Sequence, residues 1–252
     1  MLKTAILLAC LISISLSITS VVAQVEPEFI VGIWSFDEGK GDVAKDYSVN
    51  GRDGDIQGAK WEKGKLGTAL SFDKGNTVVV PLGNGIVRDK VSVVLWLQFL
   101  DLTGQQNYFS IWDSSNNRYV PYKTDGHELR FWSNNWNIGS TFIVEKNTWY
   151  HVANVYDGKT VSIYVDGELK VSQPGGFSLT DTQQTSWFAT DKGGWLSSCM
   201  EDEIGIFTTD LTSDDVKNIM EHGINWASVG ATVDPLDKLP TVWGMIKKNE
   251  ER

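Results

Sequence analysis

The sequence predicts an all-β protein, an antiparallel sandwich or barrel, with one short helix near its C-terminal end. Three observations carry that expectation. Short apolar runs recur about every ten residues with Gly, Asn or Asp between them, the spacing of many short strands joined by turns. The stretch from Trp149 to Gln173 alternates in character across two Asp-Gly pairs, the pattern of an antiparallel meander. One segment, after Thr212, carries helix caps and an apolar face at helical spacing.

Residues 1–23 are expected to be a secretory signal peptide. Met1-Leu2-Lys3 is a short basic start, Ala5 to Ile18 is an apolar run, and Val21-Val22-Ala23 offers small residues at the cleavage positions. A transmembrane anchor fits less well, because the run is short and Ser-rich and no basic flank follows it. A lipid-attachment cysteine would end the run, whereas Cys10 lies inside it. The expected product is secreted, extracellular or periplasmic, with one domain over residues 24–225 and an extended tail over 226–252.

The strands follow in order. Phe29 to Phe36 is the first, before the polar glycine loop Asp37 to Asp42 and the turn Asp46 to Gly51. Arg52 to Gln57, Ala69 to Phe72 and Thr77 to Val80 are short strands, the last stopped by Pro81. Val91 to Phe99 is the most apolar run and must be buried, being too short to span a membrane as a helix. Tyr108 to Trp112, Tyr119 to Tyr122 and Glu128 to Trp132 continue the series.

From Trp149 to Tyr156 both alternating sets are largely apolar or aromatic, so this strand is expected to be central and covered on both faces. Asp157-Gly158 and Asp166-Gly167 are expected to be two-residue turns, because Gly accepts positive φ and Asp tolerates it. Asp202 to Phe207 is the last strand. Thr212 or Ser213 caps the helix, Asp214 and Asp215 suit its positive first turn, Val216, Ile219 and Met220 form its apolar face, and Gly223 ends it.

Charge and cysteine usage narrow the function classes. Twenty-two Lys and Arg against 32 Asp and Glu give a formal charge of −10, which argues against nucleic acid or an anionic membrane as partner. Beyond the leader only Cys199 remains, so no internal disulfide can form and the core must supply the stability. Eleven tryptophans is a high count, which either fills the core of a β-sandwich or leaves a few as exposed sugar platforms.

Taken together, several motifs resemble a known family. These are Trp34 to Gly39 with Gly41, then Asp46-Tyr47-Ser48, and Trp61 with Gly64, Gly67, Ala69, Leu70 and Phe72. Further along come Trp149, His151, Val152, Ala153, Asp157-Gly158 and Tyr164 to Gly167, and finally Asp202-Glu203-Ile204 with Phe207 and Leu211. In number and order they resemble a laminin-G-like (LamG-like) jellyroll domain. The resemblance spans residues 30–223 and implies a concanavalin A-like sandwich of two antiparallel sheets. The disulfide seen in some relatives has no counterpart here.

That resemblance implies a fold more firmly than a function. Three classes stay open: a non-catalytic carbohydrate-binding or adhesion module, a protein-binding scaffold, and a glycan-active enzyme. The enzyme reading is the weakest. Hydrolases of this architecture place carboxylates at alternate positions of one strand, and no Glu-x-Asp-x-Glu occurs here. Glu201-Asp202-Glu203 is contiguous, so its middle member should face away from the outer two. Nor is there a nucleophile elbow or a Cys/His metal cluster. His151 reads as a core residue rather than a base.

The expected ligand is therefore a glycan or a glycosylated surface, with other extracellular proteins as the alternative partner. The candidate site is Trp132, Asn134, Asn135 and Trp136, the densest mix of aromatic and amide groups in the chain, with Trp136 expected to be the most exposed aromatic. Trp112 to Asn117 is a second candidate loop, and Trp187 and Trp195 flank a third. Calcium is the cofactor that loop carboxylates would suit, with Asp37, Asp46 and Asp202 as its ligands if the first and last strands pair. The competing expectation is that these carboxylates serve turns.

Overall fold

A computed structural model describes residues 25–225, apart from 134, 178, 191 and 193. The expected leader over 1–23 and the tail over 226–252 lie outside the described residues.

A 3-10 turn (Pro27–Phe29) leads into seventeen strands. In chain order they are β1 (Ile30–Trp34), β2 (Val43–Ala44), β3 (Gly54–Gln57), β4 (Lys60–Lys63), β5 (Thr68–Phe72) and β6 (Thr77–Asn84). Next come β7 (Val91–Phe99), β8 (Gln106–Asn107), β9 (Phe109–Asp113), β10 (Arg118–Lys123), β11 (Glu128–Ser133) and β12 (Asn137–Ile143). The series closes with β13 (Trp149–Tyr156), β14 (Thr160–Val165), β15 (Glu168–Pro174), β16 (Gln183–Phe188) and β17 (Cys199–Phe207), before helix α1 (Ser213–His222).

All pairings are antiparallel and fall into two sheets. The eight-stranded sheet runs β15-β14-β13-β7-β17-β5-β4, with β1 beside β17. The nine-stranded sheet runs β12-β11-β10-β9-β16-β6-β3-β2, with β8 beside β10. The main core lies between the sheets and includes Trp34, Phe72, Phe99, Phe109, Tyr119, Phe131 and Phe188. This is the two-sheet jellyroll sandwich with one C-terminal helix that the motifs imply.

The eight-stranded sheet is buried on its outer face as well. Ile33, Val94, Ala153, Val155 and Phe207 point outward and meet Leu211, Val216, Ile219 and Ile224 from α1 and its flanks. That explains why β13 is apolar on both alternations: Tyr150, Val152 and Asn154 face the core, while His151, Ala153 and Val155 lie under the second cluster or beside it. Thr212 and Asp215 form a reciprocal capping box at the start of α1, and Gly223 ends it at φ 82°.

The two Asp-Gly turns differ. Asp166 and Gly167 both have positive φ (50° and 75°) and form the two-residue loop between Val165 and Glu168. The other turn is displaced by one residue. Asp157 pairs with Thr160 across the hairpin, so the loop is Gly158-Lys159, with Gly158 at φ 98°. The Asp157 carboxylate accepts from the Lys159 and Thr160 amides and holds the loop from outside it.

Candidate functional site

Among the described residues, the outer face of the nine-stranded sheet carries no helix. Alternation decides what it displays. On β10, Tyr119 enters the core, and Lys123 is turned inward to donate to the carbonyls of Leu102 and Gly104, both at 2.7 Å. Arg118, Val120 and Tyr122 are left on the other side. On β11, Leu129 and Phe131 enter the core, and Glu128, Arg130 and Trp132 face outward. Arg118, Val120, Tyr122 and Trp132, with Gln105, Asn107, Asn137 and Trp195, surround a groove of about 320 Å³.

A guanidinium and two indoles form one wall. Arg118 pairs with Trp112 across β9 and β10, and Trp132 sits diagonally on β11 beside Val120. The Arg118 Cζ lies 4.3 Å from the centroid of Trp112 and 4.6 Å from that of Trp132. Both indoles are thus in cation–π contact with one cation. Trp112 is nearly buried, at 6% exposure. Trp132 is half-buried and Trp195 is 51% exposed at the rim.

The opposite wall is a fixed amide. Asn137 Oδ1 accepts from the Tyr122 hydroxyl and from Arg130 Nε, each at 2.9 Å. With the oxygen taken twice, the Nδ2 amino group is the end left to donate to a ligand. Arg130 is held in turn by Glu128, with Nη1 to Oε2 at 2.8 Å. Gly139 makes that pair possible, because a Cβ there would stand 2.3 Å from Glu128 Oε1 and 2.9 Å from Arg130 Nη1.

The structure divides the expected site. Trp132 lines the groove. Asn135 and Trp136 lie in the following hairpin turn and are not among the lining residues. Trp136 pairs with Ser133 through reciprocal backbone hydrogen bonds of 2.9 and 3.4 Å. Ser133 faces inward, donating to the Gly176 carbonyl, so Trp136 extends on that side of the sheet, away from the groove. It is 43% exposed, less than Trp195, which overturns its expected rank as the most exposed aromatic. Asn134 lies outside the described residues.

Trp112 and Trp195, named in the other two candidate loops, join Trp132 instead. Arg118 and Tyr122 escape motif reading. The signal that could have found them is parity: Arg118, Val120 and Tyr122 share one face, as do Arg130 and Trp132.

The expected calcium ligands do not assemble. Asp46 serves its own turn: Oδ1 accepts from the Ile33 and Ser48 amides at 2.9 and 2.8 Å, and Oδ2 from Ser48 Oγ and the Arg52 amide at 2.9 and 2.7 Å. Asp37 and Asp202 both reach the loop that joins β4 to β5. Asp37 accepts from the Thr68 amide at 3.3 Å and Asp202 from the Leu66 amide at 2.9 Å. Glu203, turned by a bulge in β17 with φ 54°, accepts from the Ile224 amide and lies within electrostatic reach of Asp37.

Burial, opposed by the Leu66 amide and reinforced by Glu203 and Asp37, pushes Asp202 up to about 8. Burial, with Asp37 behind it, pushes Glu203 up to about 7. Burial thus keeps Asp202 largely protonated at neutral pH and Glu203 about half so. Among the described residues no three His, Cys, Asp or Glu side chains are placed to hold a metal ion. His151 is buried edge-on against Trp96 at 5.3 Å, and burial pushes it down to about 3, so it is neutral.

A family model described as the concanavalin A-like lectin/glucanases superfamily, of laminin G type, matches residues 72–217. The chain belongs to that superfamily. No curated protein matches its sequence.

Solved structures share this laminin-G-like fold at low identity. Domain 4 of a GH43 extracellular arabinanase from Geobacillus stearothermophilus, solved with arabinotriose, has a TM-score of 0.66 at 21% identity, covering 76% of this chain and 98% of that domain. A mutant Trypanosoma rangeli sialidase displaying trans-sialidase activity has a TM-score of 0.62 at 17% identity, covering 77% of this chain and 33% of the sialidase. The binding domain of Paraclostridial Mosquitocidal Protein 1 has a TM-score of 0.60 at 13% identity, covering 77% of this chain and 52% of the other.

The described carboxylates of this laminin-G-like domain lie elsewhere than its groove. Glu128, on the same strand as Trp132, is tied to Arg130 and to the Thr141 amide. Asp113, at the end of β9, accepts from the amides of Ser115, Asn117 and Thr180.

Proposed function

We propose that this protein is a non-catalytic glycan-binding module. The observation that carries the reading is the groove itself, where the indoles of Trp132 and Trp195 stand beside the fixed amide of Asn137 and the hydroxyl of Tyr122. Sugar rings offer apolar CH faces to aromatic platforms and hydroxyl edges to amides. About 320 Å³ suits a short oligosaccharide. The arabinotriose held by the structurally similar arabinanase domain supports the same class of ligand. Most glycosidases flank the scissile bond with two carboxyl groups, and the described lining supplies none, which supports a binding role. The pattern of residues 1–23 supports a place outside the cytoplasm.

A glycan array followed by calorimetry on its best ligands tests this. Trp132→Ala and Trp195→Ala should each weaken binding by up to about tenfold, since an aromatic contact is worth about 0.5–1.5 kcal/mol. Trp136→Ala should bind like wild type. An array with no ligand, or binding untouched by Trp132→Ala, would favour a protein-binding scaffold instead.

A further inference from the structure

We infer that the recognised glycan carries a carboxylate and that Arg118 reads it, an inference that rests on the glycan-binding reading. Six basic side chains of the described chain are in salt bridges, Arg130 on the neighbouring strand β11 among them. The Arg118 guanidinium has no hydrogen bond or ion pair among the described residues, and its Nε is buried without a partner. Trp112 and Trp132 support the cation but accept none of its N–H bonds. The buried Nε1 of Trp112, beside it, also has no partner.

This cation is notable in a chain of formal charge −10, and among the described residues no carboxylate lines the groove to neutralise it. A fold that leaves such a charge open while pairing its neighbour has left room for an anion from outside. The guanidinium fork matches a carboxylate through two parallel N–H bonds, and stacking on indoles fixes the fork in advance. Trp132 and Trp195 would take the sugar faces and Asn137 Nδ2 a hydroxyl. The ligand class is therefore an oligosaccharide bearing a uronic or other carboxylated sugar.

Calorimetry on matched pairs tests this: trigalacturonate beside its methyl ester, and sialyllactose beside lactose, with a sulphated heparin tetrasaccharide as the rival anion. In at least one pair the acid should bind about tenfold tighter or more than its neutral partner. That preference should shrink with added salt. Arg118→Gln should abolish it, and Arg118→Lys, which keeps the charge but loses the fork, should abolish most of it. Should either variant fail to fold, the matched pairs and salt series on wild type decide alone. Equal binding of acid and neutral partners overturns the inference and leaves glycan binding standing. Binding of the sulphated probe alone also overturns it. If no glycan binds at all, the underlying reading falls with it.

Discussion

The two sheets of this sandwich both display aromatic and apolar side chains on their outer faces, and they dispose of them differently. The eight-stranded sheet covers Val94, Ala153, Val155 and Phe207 with Val216 and Ile219 of α1. At the Asp202–Gly205 bulge it also covers charge, giving Asp202 and Glu203 amide partners from Leu66 and Ile224. The nine-stranded sheet covers neither: Trp132, Trp195 and Arg118 face a groove. Alternation creates an outer face, while the element packed on it decides whether that face is core or site.

The largest effect should come from uncovering the first face. Ile219→Ala removes a nearly fully buried contact from under α1 and should cost about 2–5 kcal/mol in chemical denaturation. A loss near zero would mean that α1 is not the lid of this sheet.

Next in size is a pH effect from the covered carboxyl groups. Their folded pKa values of about 8 and 7 stand above ordinary carboxylate values, so protons favour the folded state. The stabilisation is complete below about pH 4 and is lost progressively as pH rises through 7 to 8. The melting temperature should therefore fall by several degrees between pH 5 and 8.5, and Asp202→Asn should flatten the slope. The same curve should be obtained with calcium and with chelator. A curve that rises across this window, or one that calcium lifts at high pH, would show an ion where we place protons.

The smallest effect should come from the open face. Trp132→Ala should change stability by about 1 kcal/mol or less, because the side chain is only half-buried and sits on no core. A loss of several kcal/mol would make Trp132 part of the core and erase the contrast between the sheets.

Much of the fold was legible because local rules were consistent with it. The Asp166-Gly167 turn followed from glycine at positive φ, β13 from two apolar alternations, and α1 from Thr212, Asp215 and Gly223 at cap positions. The displaced loop after Asp157 shows the margin of such rules, since the carboxylate holds the turn from outside it. Buried Lys123 was not legible, because backbone carbonyls from Leu102 and Gly104, some twenty residues away in sequence, satisfy its ammonium.

For the site, residue types and their parity were written in the chain: Trp132 beside Arg130, Arg118 beside Tyr122, each pair on one face of its strand. So was the acidic balance. Which aromatics meet was set by the packed fold. Trp112 on β9 and Trp132 on β11 flank Arg118 on β10, and Trp195 reaches the same groove from the segment before β17, while Trp136, four residues from Trp132, is carried to the other side by a hairpin turn. Likewise, Asp46 parted from Asp202 because its oxygens were nearer to the amides of its own turn. Proximity in sequence fixes what a turn can satisfy, whereas proximity across a sheet depends on strand order, which no local pattern encodes.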